Sequence, residues 1–329
     1  MSHDDDRGTY PAVRHSHIVP RGYLGAWSEP TGIAMRLVRD PDAAAKTISI
    51  RDAGVRTCFY RRRRPGTGTP IDDIEWSLSR LEYRALPLVK GITELWPPSK
   101  DQKSGLAQYV AAQYLRGDAY ARWHYELFSA GARPGADPAA VKELIAMDRP
   151  MRLLVGIRSV GTLLASMHWQ LVVFTKPRLV TSDEPVITWP LRARSSRRPA
   201  PNQVAAGIGN TLELFIPMSP TVLLLMTWAD TEDDATPAPG LGRHADTANA
   251  FVTANAQQQW FHRPSIRPTL ASGMRNPLSA TFSPGYNPTT AARSQRRQRA
   301  IELALDESDR GPSNEPLYAI PMTAAKRCA

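Results

Sequence analysis

The chain has 329 residues, 42% of them hydrophobic and 22% charged, which fits a folded globular protein and excludes a disordered one. Its formal net charge is +10, and its two cysteines, Cys58 and Cys328, are too few for a disulfide framework or a cysteine-rich zinc module. The start Met1-Ser2-His3-Asp4-Asp5-Asp6 has no secretory pattern. The longest apolar run, Thr221 to Trp228, is far short of the ~20 residues of a membrane helix, so a cytoplasmic protein without a membrane partner is expected.

Residues 1–13 are expected to be disordered. The segments Ile33–Val38, Thr47–Ile50 and Val55–Tyr60 read as short strands. Arg61-Arg62-Arg63-Arg64 and Pro65–Pro70 form a loop. A helix starts near Ile71, with Asp72 and Asp73 favouring its N-terminus and Ile71, Ile74, Leu78 and Leu81 as its apolar stripe. Pro97-Pro98 closes that region. A second long helix is predicted from Ser104 to about Phe128. Asp137-Pro138 caps a third that runs to about Asp148, and a fourth covers Met151 to Ala165.

The pattern changes at His168. Trp169–Thr175 reads as a buried strand, and Leu179–Thr181 and Val186–Trp189 flank a turn. Leu191–Asn210 is a polar loop. Leu212–Ile216 and Val222–Trp228 pair around Pro217-Met218-Ser219-Pro220, and an acidic loop follows from Asp230 to Asp234. A helix runs from Asp246 to about Trp260, and Pro264–Pro288 is proline-punctuated coil. Ala291–Leu305 is a basic surface helix. Strands and helices do not alternate, so a doubly wound sheet is disfavoured. The expected class is α+β, a central helical bundle packed on a mainly antiparallel sheet.

The polar residues that could carry chemistry are scattered. His15 and His17 fall on one face if the segment is extended, and could hold a divalent metal together with Asp183. Pro20 biases Val19 to an extended conformation. Glu75 and Glu82 border the apolar stripe of the first helix, where carboxylates need partners. Gln113 and Arg116, at i and i+3 on the second helix, could pair with those acids or offer a guanidinium fork to an anion. Asp183, in Thr181-Ser182-Asp183-Glu184-Pro185-Val186, is either a metal ligand, a general base or part of a locally bonded turn. Asn249 and Asn255 are poor interior helix residues, which hints at a hydrogen-bonding duty for at least one. No phosphate-binding loop, dinucleotide fingerprint, nucleophile elbow or zinc helix is present.

An ordered set of short motifs resembles the uncharacterised bacterial "domain of unknown function 4238" family. The set is His17-Ile18-Val19-Pro20 with Tyr23-Leu24 and Trp27; Phe59-Tyr60; Ile74-Glu75 with Leu78 and Glu82; Gln113 with Arg116; Thr181 to Val186; and Ile216 to Pro220. Two places depart from the usual pattern: Arg21-Gly22 follows the proline motif, and Glu184 stands where asparagine is frequent. The resemblance covers residues 14–262 as a single α+β domain and leaves residues 263–329 as proline-rich coil plus a basic C-terminal helix. It implies a shared fold and polar centre and supplies no reaction.

Function then rests on convergence. If His17, Glu75, Glu82, Gln113, Arg116 and Asp183 meet in one cleft, a hydrolase acting on phosphodiester or other phosphate-containing substrates is expected, with His17 or a carboxylate as general base and Arg116 as anion clamp. The alternative is a non-catalytic binding or sensor module for nucleic acid or a small anionic ligand. A third reading makes the set a buried ion-pair network. The arginine clusters suit a solvated surface better than a polyanion partner, since they are not interleaved with aromatics as a base-stacking surface would be.

Overall fold

Val222–Thr227 is buried at every position, the pattern of a strand covered on both faces. The computed structural model of the chain describes residues 15–40, 42–57, 59–60, 62–63, 70–71, 73–130, 137–190, 208–228, 234, 236–271, 278 and 295–309. The expected disordered N-terminus, most of the arginine loop, the segment 191–207, most of the acidic loop, most of the proline-rich coil and the tail lie outside them, as do Cys58 and Cys328.

The elements in chain order are β1 (His15–His17), α1 (Arg21–Leu24), a 3-10 turn (Gly25–Trp27), β2 (Ile33–Leu37), β3 (Lys46–Ile48), β4 (Val55–Thr57), β5 (Arg62–Arg63) and β6 (Pro70–Ile71). Four helices follow: α2 (Asp73–Lys90), α3 (Lys100–Leu115), α4 (Asp118–Ala130) and α5 (Pro138–Ala165). Next come β7 (His168–Val173), β8 (Thr181–Ser182), β9 (Ile187–Pro190), β10 (Thr211–Ser219), β11 (Val222–Thr227) and β12 (Ala238–Pro239). The described chain closes with α6 (Gly242–Asn255), β13 (Gln259–His262) and α7 (Gln295–Asp309).

The larger sheet has the order β12-β7-β11-β10-β9, antiparallel except for the β12–β7 edge. The alternation of its strands sorts two cores. Trp169, Leu171, Leu212, Leu214, Ile216, Leu224 and Met226 face a large core shared with α2, α3 and α5. Val172, Phe215, Leu223 and Leu225 face the other way, onto Ala245, Ala248, Phe251 and Val252 of α6. The sheet is therefore a filling between the helical bundle and α6. A second, all-antiparallel sheet runs β3-β2-β13-β8, and β1 pairs with β4, His15 opposite Thr57 and His17 opposite Val55. This is the expected α+β class, with the helical cover on both faces of the larger sheet. No helix among the described residues is long and apolar enough to cross a membrane.

Several helix boundaries differ from expectation. The first helix ends at Lys90 rather than near Pro97, and β13 takes Gln259 and Trp260 out of the later helix, which stops at Asn255. The second helix begins at Lys100, capped by Ser99, whose side chain accepts from the Gln102 N–H while the Gln102 side chain accepts from the Ser99 N–H. It stops at Leu115, and α4 starts anew after Gly117. The cause lies outside the segment: Glu184 presses against Gly117, where a Cβ would collide with its carboxylate, and accepts the Ala119 N–H at 2.8 Å. Its carboxyl oxygen satisfies one of the otherwise unpaired N–H groups at the N-terminus of α4. Conversely, the expected third and fourth helices are one helix, α5, capped by Asp137 and continuing through Pro150. The basic C-terminal helix is docked rather than free. It packs along α5, buries Ala300 and Ala304, and donates from Arg296 Nε to the Ser166 carbonyl and from Arg297 to that of Gly209.

Candidate functional site

Pro20 sets the entry to α1, and the short helix turns Tyr23 and Trp27 inward. The Tyr23 hydroxyl donates to the Pro217 carbonyl at 2.5 Å and lies 2.9 Å from Thr181 Oγ1, while Trp27 Nε1 donates to the Leu179 carbonyl at 3.0 Å. Both rings are fully buried. Burial pushes the Tyr23 phenol far above its ordinary range, so it stays neutral. Three motifs distant in sequence, those of Tyr23, Thr181 and Pro217, are thereby fastened together at one point.

Arg116 caps the end of α3 and is almost wholly buried, at 2% exposure. Its Nη1 lies 2.5 Å from Glu82 Oε1 of α2, its Nη2 donates to the His17 carbonyl, and its Nε donates to the Tyr60 hydroxyl at 3.2 Å. Tyr60 in turn donates to the Arg116 carbonyl, also at 3.2 Å. Burial opposes the guanidinium charge, but Tyr60 and Glu82 outweigh it and the pKa is raised. All three nitrogens of the fork are thus engaged within the protein.

His17 enters this cluster through its backbone. Its imidazole Nε2 lies 3.1 Å from the Arg51 carbonyl. Burial lowers its pKa, with Arg21 and Arg116 adding to the effect, so it is neutral at pH 7. Gln113 sits one turn before Arg116 with both ends of its amide buried and without a hydrogen-bond partner, and Tyr109, one turn further back, has an equally solitary hydroxyl. Glu75, two turns before Glu82 on α2, is half-buried.

Asp183 is bonded to other partners but lies next to this group, linked to it through Arg56, the cross-strand partner of Ser16. Its carboxylate accepts backbone N–H groups from Gln257, Gln258 and Gln259 at 2.9, 2.8 and 3.1 Å, and Arg56 Nη2 lies 3.6 Å away. None of its hydrogen bonds or ion pairs goes to His17, Glu75, Glu82, Gln113 or Arg116. Burial pushes its pKa above the ordinary carboxylate value, and the three N–H donors with Arg56 limit the rise. The residue fixes the turn from α6 into β13. Glu184 beside it is pushed up to about 8 by burial, with Asp183 and Asp118 adding repulsion against the Ala119 N–H.

Both asparagines of α6 have the duty that their helix position hinted at. Asn249 accepts from Val180 N–H at 2.9 Å and donates to the Arg178 and Thr269 carbonyls. Asn255 donates to the carbonyls of Glu184 and Val186 at 2.8 and 3.3 Å. The segment His15–His17 is extended, as β1; the side chain of His15 lies outside the described residues, and the His17 imidazole and the Asp183 carboxylate share no hydrogen bond or ion pair. Among the described residues no group of three or more His, Cys, Asp and Glu could hold a metal ion.

A cleft of about 700 Å³ opens beside the His17 cluster. Its walls come from α1, the loop after β3, the end of α2 and the β10–β11 turn. Ala26, Ile50, Val89, Ile92, Met218 and Val222 give it an apolar lining, and Ser49, Thr93, Ser219 and Thr221 add hydroxyls. Arg21, Arg51 and Lys90 also line it, all three are exposed, and no acidic residue is among the described residues that line it. None of the three forms an ion pair among the described residues. Sequence reasoning missed these cations because they lie 30 to 69 positions apart. The available signal was partial: Tyr23, Met218 and Ser219, from two of the motifs, line the same cleft.

The fold and cleft define a class: an α+β protein whose mostly antiparallel sheet lies between a helical bundle and a single helix, with a basic, apolar-lined cleft where the N-terminal segment meets the β10–β11 turn. The family model described as "Protein of unknown function (DUF4238)" matches residues 15–265, and the chain belongs to that family. Comparison with curated proteins and with solved structures returned no match.

Proposed function

We propose that the chain is a binding module for a small amphipathic anion, an acidic head on an apolar body, seated in the cleft of Arg21, Arg51 and Lys90. The observation that carries this reading is that three cations meet on one cleft and that, among the described residues, none that lines it is acidic. Like charges gathered over low-dielectric walls repel one another and focus a positive potential, which an anion relieves. The apolar lining suits the body of such a ligand, and the hydroxyls of Ser219 and Thr221 add donors near it.

Hydrolysis of a phosphate-containing substrate would draw on the same cleft. It has less support, because the groups first expected to do the chemistry are engaged elsewhere: Arg116 by Glu82 and Tyr60, Asp183 by three N–H groups, and His17 Nε2 by the Arg51 carbonyl.

Calorimetric titration with octyl phosphate tests the proposal. Saturable binding is expected, weakened about tenfold or more in Arg21→Ala/Arg51→Ala, with octanol failing to bind. Equal binding of octanol, or no effect of the double substitution, overturns it. Parallel incubation with bis(4-nitrophenyl) phosphate and with labelled single-stranded RNA and DNA, with and without magnesium or manganese, reads the competing outcomes. Turnover lost in His17→Ala would favour the hydrolase, and retarded oligonucleotide without cleavage would favour a nucleic-acid partner.

A further inference from the structure

A second hollow, of about 420 Å³, lies between β2, β13, the end of α6 and the segment 267–270. Arg36, Trp260, Arg267, Val38 and Leu270 are among its lining residues, and among the described residues no acidic side chain lines it. Arg36 and Trp260 are direct cross-strand partners, with the guanidinium carbon 5.6 Å from the indole centroid. Arg36 Nη1 donates to the Ala43 carbonyl at 3.1 Å, which fixes the guanidinium, while its Nε is buried without a partner. Neither Arg36 nor Arg267 forms an ion pair among the described residues. Val38 and Leu270 are 37% and 49% exposed, two large apolar side chains left in water beside two cations.

The Arg36–Trp260 stack alone is an ordinary cross-strand pair. It does not account for Arg267 at the rim or for the bare apolar walls. A half-buried cation without a counter-ion and an exposed apolar wall are both unfavourable, and one kind of occupant relieves both. The flat surfaces of indole and guanidinium favour a planar group over a branched one. We infer that this hollow is a second binding site, separate from the cleft of Arg21, Arg51 and Lys90, for a planar aromatic ring that carries an acidic group. The ring lies against Trp260, Val38 and Leu270, and the acid meets Arg267 with Arg36 behind it.

Calorimetric titration of the full chain with 2-naphthoate, alongside tryptophan fluorescence, tests this site. Saturable binding is expected, with quenching that disappears in Trp260→Phe. Arg267→Gln, at an exposed position that does not endanger folding, should weaken binding about tenfold, and 2-naphthalenemethanol, which lacks the acid, should bind as weakly. Arg51→Gln, in the other cleft, should leave the affinity unchanged. The site is disproved if naphthoate does not bind saturably, if the alcohol binds equally well, or if Arg51→Gln abolishes binding while Arg267→Gln does not. Because the two sites share no residue, failure here leaves the octyl phosphate result standing, and the reverse also holds.

Discussion

Arg116 and the trio of Arg21, Arg51 and Lys90 lie in neighbouring parts of one molecule and use positive charge in opposite ways. Around Arg116 every nitrogen of the guanidinium has a protein partner, and the charge is enclosed with Glu82, Tyr60 and the His17 carbonyl. At the cleft the cations are exposed, and among the described residues none that lines it is acidic. The lesson is that residue type does not separate support from function in this chain; completeness of partnering does. A polar group whose bonds are all satisfied internally fixes the fold, whereas one held on a rigid wall without a partner is available to a ligand.

The comparison can be broken most forcefully at Arg116. Arg116→Met should destabilise the protein by about 3–5 kcal/mol in urea unfolding, because it leaves the half-buried Glu82 carboxylate without its cation and the buried Tyr60 hydroxyl without one of its partners. Arg21→Ala should stay within about 0.5 kcal/mol of wild type. Similar losses for both would erase the distinction. Asp183→Asn should cost about 2–3 kcal/mol in the same measurement, since charge-assisted bonds to three N–H groups are weakened.

Glu184 sharpens the contrast through pH. Its folded pKa, pushed up to about 8 from an ordinary 4.5, means that the folded state holds the proton more tightly than the unfolded one. Its contribution to stability is therefore complete below about 4.5, declines as pH rises, and is lost above about 8. Glu184→Gln should flatten that part of the stability profile; an unchanged slope would assign it to other groups. At the small end, Gln113→Leu removes a buried amide that has no partner, so its effect should lie within about 1 kcal/mol of zero, or stabilise. A larger loss would show that the amide holds something in solution.

Several elements were legible because their signals are local. The β10–β11 hairpin was readable from two apolar runs around Pro217-Met218-Ser219-Pro220, and α2 from its stripe of Ile74, Leu78 and Leu81. The break between α3 and α4 was not, because Glu184, 65 residues from Ala119, caps the new helix. Of the candidate site residues, the meeting of Glu82 with Arg116 was among the pairings weighed. The bonding of Asp183 was hidden, since its partners are backbone groups at 257–259, which carry no side-chain signature.

The order of residues by itself determined the α+β class, the family and most strand and helix interiors, because apolar periodicity and caps act over a few positions. Only the tertiary structure decided which polar groups found partners: it enclosed Arg116, spent Asp183 on a turn, and left Arg21, Arg51 and Lys90 facing one cleft. Burial and proximity set the energy of a charge, and both are properties of chain segments brought together from far apart.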